Sequence, residues 1–136
     1  MPLYYAVREG HTNVIEILIK EGSDVNQLDT YGQTPIFYCI REGNVVTTQQ
    51  LIAAGANPDI VDNNGQTPLF YAIRYNKFEM VEYLIQQGVN IKIEDKRGLT
   101  PAHWAKKHSK AQILDLLVQN GAMPVNDSKK KAAKPK

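Results

Sequence analysis

Four prolines set the frame: Pro2, Pro35, Pro68 and Pro101 are spaced by 33 residues each time, and each opens a similar pentapeptide. These read Pro2-Leu3-Tyr4-Tyr5-Ala6, Pro35-Ile36-Phe37-Tyr38-Cys39, Pro68-Leu69-Phe70-Tyr71-Ala72 and Pro101-Ala102-His103-Trp104-Ala105. Asp29, Asp62 and Asp95 keep the same interval, as do Gly32, Gly65 and Gly98, and Thr34, Thr67 and Thr100. A fixed period between 20 and 50 residues restricts a chain to architectures in which one supersecondary unit is repeated and stacked. A single unit of that size cannot bury its own apolar face.

Each unit has a physical reading. Thr before Pro predicts a helix start, because the hydroxyl can cap free amides and proline needs no donor in the first turn. That first helix should end near Gly10, Gly43, Asn76 and Ser109, where a left-handed residue is required; Ser suits this least. A second helix is predicted from apolar residues at helical spacing: Val14, Ile15, Leu18 and Ile19 in the first unit, Met80, Val81, Leu84 and Ile85 in the third, and Ile113, Leu114, Leu117 and Val118 in the fourth. Thr47 and Thr48 fall at core positions of that stripe, which predicts a softer second helix in the second unit. Asp62-Asn63-Asn64-Gly65 reads as a tight turn between units, since Asn-Gly supplies positive φ.

Composition narrows the functional classes. With 43% hydrophobic residues the chain has material for one core, and no run approaches the roughly 18 apolar residues of a membrane span. Without a recognisable signal peptide, and with Cys39 as the single cysteine, an intracellular location is expected, cytoplasmic or nuclear. Residues 127–136 hold five of the sixteen basic residues and one of the fourteen acidic ones, which leaves eleven basic against thirteen acidic in the body. A slightly acidic body argues against nucleic-acid binding by the folded part.

The motif Gly-Gln-Thr-Pro-Leu-Phe-Tyr-Ala at 65–72, followed by Gly88-Val89-Asn90-Ile91, resembles the ankyrin repeat, and the likeness runs over residues 1 to about 126. It implies an all-α fold: an ankyrin-repeat solenoid of stacked helix pairs with connecting β-hairpin turns, in which turns and first helices line a concave face. It also implies protein binding as the usual role. The expected organisation is a repeat domain over 1–126, with repeats at about 1–29, 30–62, 63–95 and 96–126. A disordered Lys-rich tail is expected over 127–136. The first unit lacks its Thr and its preceding hairpin, so excision from a longer protein, such as a chromatin-modifying enzyme, is a second expectation.

Recurring surface positions in a stack form rows. Tyr5, Tyr38, Tyr71 and Trp104 make an aromatic row, and Arg8, Arg41, Arg74 and Lys107 follow three residues later on the same helix face. These eight residues are the candidate partner-binding set, because Tyr, Trp and Arg dominate binding hot spots and guanidinium groups grip carboxylates or phosphates. An acidic or phosphorylated protein segment is the expected partner. Two competing readings are that the aromatics pack between units and that the cations pair with Glu9 and Glu42. A methyl-lysine cage at Tyr71 and Trp104, of the kind built by ankyrin modules of some histone methyltransferases, is opposed by the like charge of Arg74. No catalytic residues, no metal ligands and no cofactor are expected: His11, His103 and His108 lack metal-site spacing, and no nucleophile has a visible base. His103 reads as a structural hydrogen-bonding group and Cys39 as a small core residue. The tail could bind nucleic acid or direct nuclear import, though a solvated linker is favoured. The molecule is expected to be a monomer, with a dimer through the uncapped N-terminal face as the alternative.

Overall fold

The computed structural model describes residues 2–122, and the expected Lys-rich tail lies outside them. Among these residues eight helices follow one another in pairs: α1 Pro2–Glu9 with α2 Thr12–Lys20, α3 Pro35–Glu42 with α4 Val45–Ala53, α5 Pro68–Arg74 with α6 Phe78–Gln86, and α7 Pro101–Lys107 with α8 Ala111–Gln119. The first helices stack in the order α1, α3, α5, α7 and the second helices in the order α2, α4, α6, α8, giving two layers. The core lies between the layers and between successive pairs. Leu3, Ile36, Phe37, Leu69 and Phe70 enter it from the first layer, and Ile15, Leu51, Met80, Leu84, Ile113 and Leu117 from the second.

The helix starts follow the sequence only in part. Thr34, Thr67 and Thr100 are extended, as a residue before proline must be, and each is followed by Pro at the first helical turn. Only Thr100 caps with its side chain. The His103 amide donates to Thr100 Oγ1 at 3.2 Å while the Thr100 amide donates to His103 Nδ1 at 3.1 Å, a reciprocal box that gives His103 the structural role expected of it. Phe37 and Phe70 occupy the place of His103 in the second and third units. With no ring nitrogen to engage them, the Thr34 and Thr67 hydroxyls are buried without a partner.

The first helices stop in one way. At Gly10, Gly43, Asn76 and Ser109 the backbone turns left-handed, with φ of 73°, 73°, 58° and 59°. The next amide then reaches back to the helix, as from Lys77 to Ala72 O at 2.8 Å and from Lys110 to Ala105 O at 2.8 Å. This reversal packs each second helix antiparallel to its first.

Each unit is joined to the next by a turn whose amide at Asp29, Asp62 or Asp95 donates to the carbonyl of Gln33, Gln66 or Leu99, at 2.9, 2.9 and 2.8 Å. The expected hairpins are turn loops, with no strand among the described residues. Successive tips touch: the Asn63 amide donates to Tyr31 O at 3.2 Å and the Lys96 amide to Asn64 O at 3.1 Å. One such bond per pair of tips is too few for a sheet ladder. The close approach still demands glycine, since a Cβ on Gly65 would stand 2.9 Å from the Lys96 nitrogen.

At the N-terminal face Val14 is 44% exposed, whereas its counterparts Thr47, Met80 and Ile113 are buried. Thr48 Oγ1 donates to the Asn44 carbonyl at 2.8 Å, and Asn44 Oδ1 accepts from the Thr47 amide at 3.0 Å. The Thr47 hydroxyl is buried with no partner, so it carries a desolvation cost that an apolar isostere would not. Thr47→Val should therefore raise stability by about 1–2 kcal/mol in urea unfolding at neutral pH, against near-neutral helix propensity; a lower midpoint would refute this account of α4. Ser109→Gly should add about 1 kcal/mol by the same assay, because glycine meets no Cβ penalty at positive φ.

Candidate functional site

The site begins with three carboxylates. In each turn Oδ1 of the aspartate accepts from the backbone amides two and four residues on: Tyr31 and Gln33 for Asp29, Asn64 and Gln66 for Asp62, Arg97 and Leu99 for Asp95, all at 2.8–3.0 Å. Oδ2 takes the polar tip of the aromatic nine residues on. Tyr38 donates to Asp29 at 2.5 Å, Tyr71 donates to Asp62, and Trp104 Nε1 donates to Asp95 at 3.0 Å. The same oxygen also accepts an amide from the preceding unit, Gln33 Nε2 to Asp62 at 3.2 Å and Gln66 Nε2 to Asp95 at 3.0 Å. Tyr38, Tyr71 and Trp104 are thereby held at their tips, and Asp62 and Asp95 are braced by the preceding unit.

Protonation follows from this arrangement. Burial and the hydrogen bond to Asp29 push the Tyr38 hydroxyl up to about 12. Tyr71 is raised by burial and by its bond to Asp62. At Asp95 burial works upward, but donation from Trp104, Gln66 and the amides of Leu99 and Arg97 outweighs it and lowers the carboxyl from 3.8 to about 2.

The cations lie over the rings. The Arg8 guanidinium is 5.5 Å from the Tyr5 centroid, and Arg41 is 5.2 Å from Tyr38 and 5.8 Å from Tyr75. Arg74 sits between Tyr71 at 4.5 Å and Trp104 at 4.8 Å, and Lys107 Nζ is 5.8 Å from Trp104. All eight sequence candidates are thus brought to one face, in two interleaved rows. Their environments differ along it. Tyr71 and Trp104 are only 5% and 8% exposed, whereas Tyr5 is 56% exposed. Arg74 is tied down by a 2.7 Å bond from its Nη2 to Gln66 Oε1, and Arg8 pairs with Glu9 at 3.3 Å. Glu42, which the competing reading offers as a partner for the cations, forms no ion pair with Arg41 among the described residues, whereas Glu9 does pair with Arg8.

Between the turn tips and the first helices of the second and third units is a groove of about 430 Å³, whose walls include Tyr31, Tyr38, Arg41, Asn63, Arg74 and Tyr75. A second hollow of about 360 Å³ lies at the first unit against Tyr4, Tyr5, Arg8, Asp29 and Tyr38. Sequence reasoning missed Tyr31 and Tyr75, because each breaks the period: Asn64 and Arg97 replace the first in other units, and Glu9, Glu42 and His108 the second. It also left Gln33 and Gln66 unremarked, although their 33-residue spacing was visible. Cys39 is buried with its thiol pushed up to about 12 by burial, which leaves it protonated. Among the described residues no cluster of three His, Cys, Asp or Glu side chains is placed to hold a metal ion.

Paired helices, a shared register and rows of repeated side chains define a helical repeat solenoid. The family model described as Ankyrin repeats (3 copies) matches residues 1–60 and 43–130, and the chain belongs to that family, whose repeats mediate protein–protein interaction and are typically non-catalytic. No curated protein sequence matches the chain. No helix among the described residues is long and apolar enough to cross a membrane.

The depressed carboxyl of Asp95 sets an acid limit on the fourth unit. Its contribution is fully present above the unfolded value near pH 4 and is lost as pH falls through the folded value near 2. Asp95→Asn should lower the urea midpoint at pH 7 and flatten its decline between pH 4 and 2 relative to the parent. Parallel declines in the two proteins would exclude Asp95 as a source of the acid sensitivity.

Proposed function

We propose that this protein is a non-catalytic interaction module that holds an acidic or phosphorylated segment of a partner protein on the face formed by the turn tips and first helices. One observation carries the reading: Arg8, Arg41, Arg74 and Lys107 form a single file of cations along that face, each over an aromatic ring. The body as a whole carries fewer basic than acidic residues, so this file is a local concentration of positive charge rather than part of a general one. The exposed rings of Tyr5, Tyr31 and Tyr75 supply contact area, and the file of cations selects for negative charge. The groove between the second and third units offers room for side chains of an extended segment.

A reversal of charge on the face tests this. Peptides selected on the full chain by phage display should lose at least about tenfold in affinity against the triple variant Arg8→Glu, Arg41→Glu, Lys107→Glu, as expected for loss of charge-assisted hydrogen bonds. The control Lys20→Glu, Lys110→Glu changes cations outside the file and should leave affinity unchanged. Equal losses in both, or a loss only in the control, would remove the face from consideration.

A further inference from the structure

Resting on that reading, we infer that one residue of the file, Arg41, is the anion reader, and that it takes a single carboxylate or phosphate group from the partner segment in the pocket between Tyr31, Tyr38 and Tyr75. The four cations are alike in sequence but not in their bonding. Arg74 spends its guanidinium on Gln66 Oε1 and is enclosed by two rings of adjoining units. Arg8 has Glu9 beside it, and Lys107 is exposed at the far unit. Arg41 makes no hydrogen bond and no ion pair among the described residues, although it is half-buried and its Nε is shielded from solvent.

The reason is the aperiodic Tyr75. Arg74 is flanked by the ring of its own unit and by Trp104 of the next, and it reaches the glutamine of its own turn. The guanidinium of Arg41 lies instead between Tyr38 and Tyr75, and Gln33, the counterpart of Gln66, does not bond to it. None of its five donors finds an acceptor within the protein among the described residues, and one of them, Nε, is also shielded from solvent, in a groove whose one carboxylate, Asp62, already accepts from Tyr71, Gln33 and two amides. A half-buried cation in this condition favours a ligand that brings its own oxygens, since pairing removes the cost of the unmet donors. The planar fork matches a two-oxygen face, which carboxylates and phosphates share. Tyr31, 67% exposed at the turn tip, and Tyr75, 40% exposed, stand on either side of that opening and supply apolar contact for the neighbouring atoms of the segment.

The test uses the full chain and four soluble peptide pools with degenerate flanks and a fixed central glutamate, phosphoserine, phosphotyrosine or glutamine. Wild-type protein should retain one or more of the anionic pools over the glutamine pool, and the pool retained most identifies which oxyanion is read. Arg41→Gln should abolish that preference, a loss of about 10- to 100-fold, with cooperative urea unfolding retained, because no native hydrogen bond is removed and only the cation–π contacts to Tyr38 and Tyr75 are lost. Arg41→Lys keeps the charge but not the fork and should recover only part of it. Anionic preference that survives Arg41→Gln overturns the inference; if Tyr75→Ala then weakens retention, the face remains the binding surface, and if it does not, the proposed function falls with it. Equal retention of all four pools by the wild type also overturns it.

Discussion

A carboxylate wedged between adjoining units is the contact on which the remaining geometry rests. Asp62 and Asp95 each accept two amides of their own turn on one oxygen, and on the other an aromatic tip of their own unit and a side-chain amide of the unit before. Four donors on one buried anion bring it close to full satisfaction, which is the condition under which a buried charge ceases to be a liability. The turn is shaped, the ring is aimed and the neighbouring unit is positioned by the same atoms. Apolar packing between the two helix layers supplies the bulk of the attraction, but it is nearly indifferent to small sliding of one unit on the next. The carboxylates fix the register.

That register decides which side chains remain for binding. Because the tips of Tyr71 and Trp104 are committed to aspartates and their rings are buried, they offer neither hydroxyl nor indole donors to the outside. The cations settle over the rings, and Arg74 becomes part of the internal bonding. What stays uncommitted is set by departures from the period, Tyr31 and Tyr75 above all. In a repeat protein the shared positions build the scaffold, and the exceptions on its surface carry the individuality of the molecule.

Much of this was readable in the sequence. The interval between prolines predicts the four helix pairs, and the aromatic and cationic rows share a face as their three-residue offset requires. The left-handed ends at Asn76 and Ser109 also follow from their alignment with Gly10 and Gly43. Other features depend on tertiary partners that a linear pattern does not name. Thr34, Thr67 and Thr100 look alike, yet only Thr100 caps with its side chain, in the unit where His103 completes the reciprocal box; the second and third units carry phenylalanine there. The turns look like hairpins, yet adjacent tips exchange a single backbone bond, so no ladder forms. The three aspartates read as turn residues; that they also grip the aromatic nine positions later becomes apparent only when the first helix folds back over the turn.

The glutamine bridges have a direction. Gln33 reaches forward to Asp62 and Gln66 reaches forward to Asp95, but Leu99 occupies the place where a third amide would stand. The relay of donor to acceptor thus runs from the second unit to the fourth and halts there. The fourth unit is gripped from behind and carries no matching amide to extend, so among the described units the relay has a polarity that the shared repeat design does not itself dictate.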